Sequence, residues 1–207
     1  MLVIGITSRA LFDLDESHKV YEDKGLEAYR DYQISKENEA LLPGQAYPLV
    51  TKLLDLNKRI KNERSVEVVL LSRNSADTGL RIFNSIEHHN LDIKRAAFCG
   101  GNSPHTYAKA FGAHLFLSSE YTDCKMALKN GVAAARIIPA GVPKTVESQL
   151  KIAFDGDSVI FSDESEKVFE EEGLKAFLDN ERKKKSMLKA GPFKSFLVEL
   201  NKLQSEL

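Results

Sequence analysis

One stretch of the chain occurs twice. Residues 15–29, DESHKVYEDKGLEAY, lie over residues 163–177, DESEKVFEEEGLKAF, without a gap and match at nine of fifteen positions. Tyr21 and Tyr29 are answered by Phe169 and Phe177, so two of the mismatches keep an aromatic ring. Further on, residues 48–58 (PLVTKLLDLNK) parallel residues 192–202 (PFKSFLVELNK) once four residues are dropped from the second copy. Agreement of this extent means that the start of one structural unit is present twice, and any fold must house both copies. A first unit over residues 1–150 and the opening of a second over residues 151–207, cut off after about its first third, are expected.

Between the two starts the pattern alternates. Residues 66–71 (VEVVLL) read as a buried strand that ends in the polar turn Ser72-Arg73-Asn74-Ser75. Residues 80–89 read as a helix with Ile82, Phe83 and Ile86 on one face; residues 96–99 and 114–117 read as short strands, stopped by Gly100-Gly101 and by Ser118-Ser119. A helix over residues 122–130 follows, with Gly131 placed as its C-terminal cap. Strands separated by helices, each strand ending in small polar residues, predict an α/β fold with a doubly wound parallel sheet of Rossmann-like type, internally duplicated. In such sheets ligands bind at the carboxyl ends of the strands.

Composition narrows the function classes. With 29 basic and 30 acidic residues among 207, the net charge is −1, which lacks the basic footprint of a dedicated nucleic-acid binder; only the run from Arg182 to Lys185 is basic, and it reads as a solvated face. Cys99 and Cys124 have no CxxC or zinc-finger spacing, and the five histidines show no metal spacing. The opening MLVIG is too short for a signal peptide, and no stretch approaches the roughly 18 apolar residues of a membrane span. A cytoplasmic protein without nucleic-acid or membrane partners is expected, with a homo-oligomer left open.

The segment IAFDGDSVIFSDE places Asp155 and Asp157 two residues apart after an apolar run read as the strand 151–154. Where a strand ends, this spacing turns both carboxylates toward one ion or phosphoryl group, and Gly156 lets the backbone come close. One carboxylate can attack phosphorus while the other moves the proton; two like charges facing an anion call for a divalent cation, and oxygen ligands favour Mg²⁺. A solvated Asp-Gly turn is the other reading of the same residues.

FDGDSVIFSDE resembles the first motif of the haloacid dehalogenase (HAD) superfamily. FDGDSVIFSDESEKVFEEEGL, with AGPFKSFLVELNKLQ after it, is similar to the cytosolic type I 5′-nucleotidases, as are SRALFDLDESHKVYEDKGLEAY, VVLLSRNSADTGLRIFNSIEHHNLDIKRAAFCGG and KAFGAHLFLS. The resemblance covers nearly the whole chain. It implies a HAD-like fold and Mg²⁺-dependent hydrolysis of nucleoside 5′-monophosphates, AMP above all, to nucleoside and phosphate. It also implies Asp155 as nucleophile, Asp157 as general acid and base, and the metal on the Asp155 carboxylate and the Asp157 backbone carbonyl.

A complete site of this kind also needs a Ser or Thr at the next strand end, a Lys and further metal acids, which relatives supply beyond residue 207. The first unit has counterparts in Ser72, with Arg73 and Asn74 beside it, in Lys109 and in Ser118-Ser119, but has Thr7-Ser8-Arg9 at the place of Asp155-Gly156-Asp157. Two arrangements follow. In one, the first unit lends Ser72 and Lys109 to Asp155, with the Asp155 strand beside the strand that ends at Ser72. In the other, the first unit is a substrate-binding or regulatory copy; and because the second unit is unfinished, the chain also reads as a nucleotide-binding fragment or pseudo-enzyme without turnover, or as an interaction protein whose apolar edges seek a partner chain. Ser72, Arg73 and Asn74 also read as helix caps, and Lys109 as a solvated lysine. Asp13 and Asp15 imitate the acidic pair, but the repeat aligns Asp15 with Asp163, which makes them scaffold residues.

Overall fold

The computed structural model describes residues 1–60, 65–139, 149–162, 164–183 and 190–207. Five parallel strands, β1 (Leu2–Ile6), β2 (Val66–Ser72), β3 (Arg95–Phe98), β4 (Leu115–Ser118) and β5 (Ala133–Arg136), form one sheet in the order β3-β2-β1-β4-β5. Every residue of β1 and β2 is buried, which follows from helices covering both faces of a parallel sheet. The central strand β1 is the apolar run at the amino terminus. Ile4 sits level with Val68 of β2 on one side and Leu115 of β4 on the other.

Alternation along β2 divides the core. Val66, Val68 and Leu70 join Leu2, Ile4 and Ile6 on one face, against Val50, Leu53 and Leu54 of α3 (Tyr47–Leu56) and Ile82 and Ile86 of α4 (Ala76–His88). The spacing of those α3 residues is one helical stripe. Val69 and Leu71 face Ala108 of α5 (His105–Ala110) and Cys124 and Ala127 of α6 (Tyr121–Lys129). Glu67 is also buried in β2, where Arg95 grips it with two hydrogen bonds of 2.8 and 2.6 Å and so compensates the charge. Gly131, at φ 76°, follows α6 as expected.

At the opposite, amino edge, the Val3 N–H donates to Nδ1 of His114 (3.0 Å), so the ring must be neutral to accept, and burial lowers its pKa below the ordinary 6.5. A base depressed on folding stabilises the fold above its unfolded pKa and loses that contribution as pH falls through the folded value. Stability is therefore expected to fall as pH drops below 6.5, and His114→Gln should flatten that part of the profile in urea titrations across pH.

The second copy reproduces the first in backbone detail. Helix α2 (Asp15–Ser35) breaks at Gly25, with φ 83° and ψ −173°, and α7 (Glu164–Lys183) breaks at the matching Gly173, with φ 81° and ψ 179°. These left-handed angles suit glycine and few other residues. The rings of Tyr21 and Tyr29 meet edge to face at 6.1 Å, those of Phe169 and Phe177 at 6.0 Å. Each kinked helix is an insert closed at its base by an isolated antiparallel bridge, Phe12 with Pro43 and Phe161 with Ala190. Gly44 N–H donates to Leu11 O and Gly191 N–H to Ile160 O, so Gly44 and Gly191 are the equivalent pair. This sets Pro192 opposite Gln45 rather than Pro48, three residues off the pairing read from sequence.

The expected strand over residues 151–154 is not formed. This segment has no regular structure, and both neighbours of β2 are already β1 and β3, so no strand bearing Asp155 can lie beside Ser72. Phe154 packs instead on Phe193 and on Phe196 of α8 (Lys194–Ser205), with ring centroids 6.3 and 5.9 Å apart. Helix α8 caps the amino edge: the Met1 amine meets Glu199 at 3.3 Å, and Ser65 Oγ donates to Glu206 at 3.1 Å.

Candidate functional site

The carboxyl edge of the sheet collects Thr7 and Ser8 after β1, Ser72 at the end of β2, and Ser118 and Ser119 at the end of β4. Ser8, in the short helix α1 (Ser8–Leu11), and Ser72 share a buried hydroxyl–hydroxyl bond of 2.9 Å, and Ser72 Oγ also accepts from the Asn74 N–H (3.2 Å). Arg73 pairs with buried Asp123 at 2.5 Å and donates to Gly101 O. Asn74 Oδ1 accepts from the hydroxyl of Tyr29 (2.8 Å), whose pKa is raised by burial. The predicted residues Ser72, Arg73 and Asn74 thus meet at the edge, each tied to other parts of the first unit. Ser75 rather than Ser72 caps α4, in a reciprocal pair with Thr78.

Lys109 is not brought to them. It is exposed in the last turn of α5, just before Phe111, whose carbonyl accepts from Arg95 at the amino end of β3. Asp13 Oδ1 accepts from the Asp15 N–H (3.0 Å), a turn-forming bond in keeping with a scaffold role. Burial raises both cysteine thiols, so neither Cys99 nor Cys124 is a ready thiolate.

Three buried polar atoms at this edge have no partner among the described residues: Thr7 Oγ1, Ser119 Oγ and Asp123 Oδ2. Leaving such an atom unpaired costs about 1–3 kcal/mol. Asp123 is 1% exposed, with its other oxygen shared between Arg73 and Ser103, and Ser103 also meets His105 Nδ1 at 2.5 Å. Nothing in the helical run TDCK marks Asp123 in the sequence. Thr7 was legible only through the repeat.

Asp155 is exposed and begins a π-helical turn, Gly156–Ile160, where its Oδ1 accepts from the Gly156 N–H (2.7 Å). Its backbone, at φ −71° and ψ 151°, matches that of Thr7, at φ −81° and ψ 149°, which opens the turn after β1. The turns differ by one residue: Phe12 N–H reaches Ser8 O, whereas Phe161 N–H reaches one residue further, to Gly156 O. The side chain of Asp157 and the whole of Asp163, Lys184 and Lys185 lie outside the described residues. Among the described residues no hydrogen bond or ion pair joins Asp155 to Ser72 or Lys109, and no three His, Cys, Asp or Glu side chains group to hold a metal. Among the described residues, then, Asp155 stands as one exposed carboxylate with no other candidate metal ligand beside it.

A groove elsewhere, between α3, residues 149–154 and α8, is lined by Lys52, Arg59, Leu150, Phe154 and Leu203. Its α8 wall caps the amino edge, away from the strand ends where doubly wound sheets take ligands.

Comparison with known proteins agrees with the resemblance. Human cytosolic 5′-nucleotidase 1B is 35% identical over 212 residues, an alignment that covers 99% of this chain and 35% of that protein, so the chain spans about a third of the length of this curated relative. No solved structure matches. Among the described residues no helix is long and apolar enough to cross a membrane. The family model for 5′-nucleotidase matches residues 1–207, and the chain belongs to that family of phosphoric monoester hydrolases.

Proposed function

We propose that the protein hydrolyses nucleoside 5′-monophosphates, AMP among them, in the cytoplasm, with Asp155 as nucleophile and Asp157 as general acid and base. The observation that carries this reading is the match between Asp155 and Thr7. The acidic pair opens the helical turn that, in the first copy, follows the central strand, the place where a doubly wound unit presents groups to a ligand. Only the second copy has a carboxylate there, so turnover belongs to residues 151–207 and the surface around them.

In the proposed reaction an Asp155 oxygen attacks phosphorus and the bond to the ribose 5′-oxygen breaks, while Asp157 gives that oxygen its proton. Asp157 then takes a proton from water, which attacks the acyl phosphate to release phosphate and restore the Asp155 carboxylate. Mg²⁺, when bound, would neutralise the gathering negative charge. The Asp155 carboxylate would hold it, together with the Asp157 backbone carbonyl, as the resemblance implies.

Phosphate release from AMP by the purified protein tests the proposal. Release is expected to be weak, because the further Ser or Thr, Lys and metal acids of such a site are not assembled around Asp155 among the described residues, and what there is should need Mg²⁺, stopping on chelation and returning when Mg²⁺ is restored. Nucleotide binding without any release under both conditions would favour the non-catalytic reading instead, which the absence of a carboxylate at Thr7 supports for the first copy.

A further inference from the structure

Of the three unpartnered polar atoms at the carboxyl edge, the two hydroxyls come from neighbouring strand ends. Thr7 follows β1 and Ser119 follows β4, and the Thr7 N–H donates to Leu117 O (3.0 Å), which fixes the two strand ends side by side. Thr7 is only 7% exposed. Chain connections leave β1 toward β2 on one side while β4 lies on the other, so this is the topological switch point of the sheet, where such folds open a crevice for ligands. Arg9 stands beside it, paired with Glu120 at 3.3 Å and Asp15 at 3.5 Å. Both pairs are open to solvent and exchange readily.

The chemistry of this group is that of an oxyanion cradle. Two O–H donors lack acceptors, the Arg9 guanidinium is paired with Glu120, the residue after Ser119, and the Glu120 carboxylate presents to Arg9 the charge that a bound anion would present. A cation would meet Arg9 first. The equivalence of Thr7 with Asp155 adds the class of anion: the position that holds the proposed attacking carboxylate in one copy holds, in the other, an uncharged hydroxyl that can donate a hydrogen bond to an anion. We infer that Thr7, Arg9 and Ser119 form a second site, which binds a phosphate group without hydrolysing it, Arg9 releasing Glu120 to take the ligand. The group could belong to inorganic phosphate or to a nucleoside monophosphate. This site lies in the first copy; its hydroxyls and Arg9 are independent of Asp155, while the choice of phosphate as the anion rests on the proposed hydrolytic role of Asp155.

Amide chemical shifts of the full chain carrying Asp155→Asn, titrated with inorganic phosphate and separately with AMP, test the inference in the absence of nucleophilic attack. The Thr7, Arg9 and Ser119 resonances are expected to move saturably. Thr7→Val and Ser119→Ala should each weaken binding by about tenfold or more, because each removes a hydrogen bond to a charged ligand. Glu120→Gln should tighten it by removing the competing carboxylate. Thr7→Val deletes an unpaired buried hydroxyl at nearly constant shape, so its melting temperature without ligand should hold or rise. Tighter binding of AMP would assign the ligand to nucleoside monophosphates, and equal binding to the free ion. Absence of saturable shifts at these three residues with either titrant, or affinity unchanged in both Thr7→Val and Ser119→Ala, would overturn the site. Loss of hydrolysis in the wild-type chain would bear on Asp155 and leave this result intact.

Discussion

Asp155→Asn is expected to reduce AMP hydrolysis by several orders of magnitude, to the residue that binding alone provides. An amide cannot attack phosphorus, and the substitution also removes a charge from any metal bound there. Asp157→Asn should behave differently, lowering turnover by about 10²- to 10⁴-fold through loss of proton transfer while the nucleophile survives. The two are separated by acid quenching during turnover: an acyl phosphate should be trapped in the Asp157 variant and be missing from the Asp155 variant. Wild-type rates in the Asp155 variant would remove it from the chemistry altogether.

The largest stability effect is expected at the base of the first insert. Phe12 is fully buried, its ring stacked on His89 at 5.7 Å and tilted against Tyr47 at 6.5 Å, while His89 Nε2 bonds the Leu41 carbonyl. Phe12→Ala should therefore cost about 3–5 kcal/mol, the range for emptying a filled aromatic site. Phe161 makes the equivalent bridge in the second copy but is 41% exposed, and Phe161→Ala should cost about 1 kcal/mol. Urea midpoints of the two variants decide the matter. Equal losses would mean that the second bridge is as firmly packed as the first.

How much the sequence disclosed depended on how local each signal was. The strand over VEVVLL and the turn after it were legible because a continuous β-branched run and a polar stop are both local signals. Alanine weakens strand propensity, so Ala133–Arg136 went unread, and the six residues of α5 were too few to show a helical period. The run KIAF failed the other way: it has strand composition, but the sheet offers no edge beside β2, and Phe154 finds a better burial among the rings of Phe193 and Phe196. At the site, Ser72 followed from the strand-end rule, and Thr7 from its alignment with Asp155. The pairing of Arg73 with Asp123, fifty residues apart, depended on which helices close over the edge, and no spacing in the sequence announces it.

The two inserts also differ in the bonds that hold them. In the first, Tyr29 ties to Asn74, Arg30 to Asp77 and Gln33 to Arg81, so the helix is moored to the loop after β2 and to α4 by directional polar bonds. The repeat puts Phe177 where Tyr29 stands and Leu178 where Arg30 stands, and neither can donate a hydrogen bond or pair a charge. Leu178 and Phe169 are exposed on α7. At Phe177 and Leu178 the second insert therefore has no polar mooring, and its side chains there can be held only by contact area, without the fixed register that matched polar groups give the first.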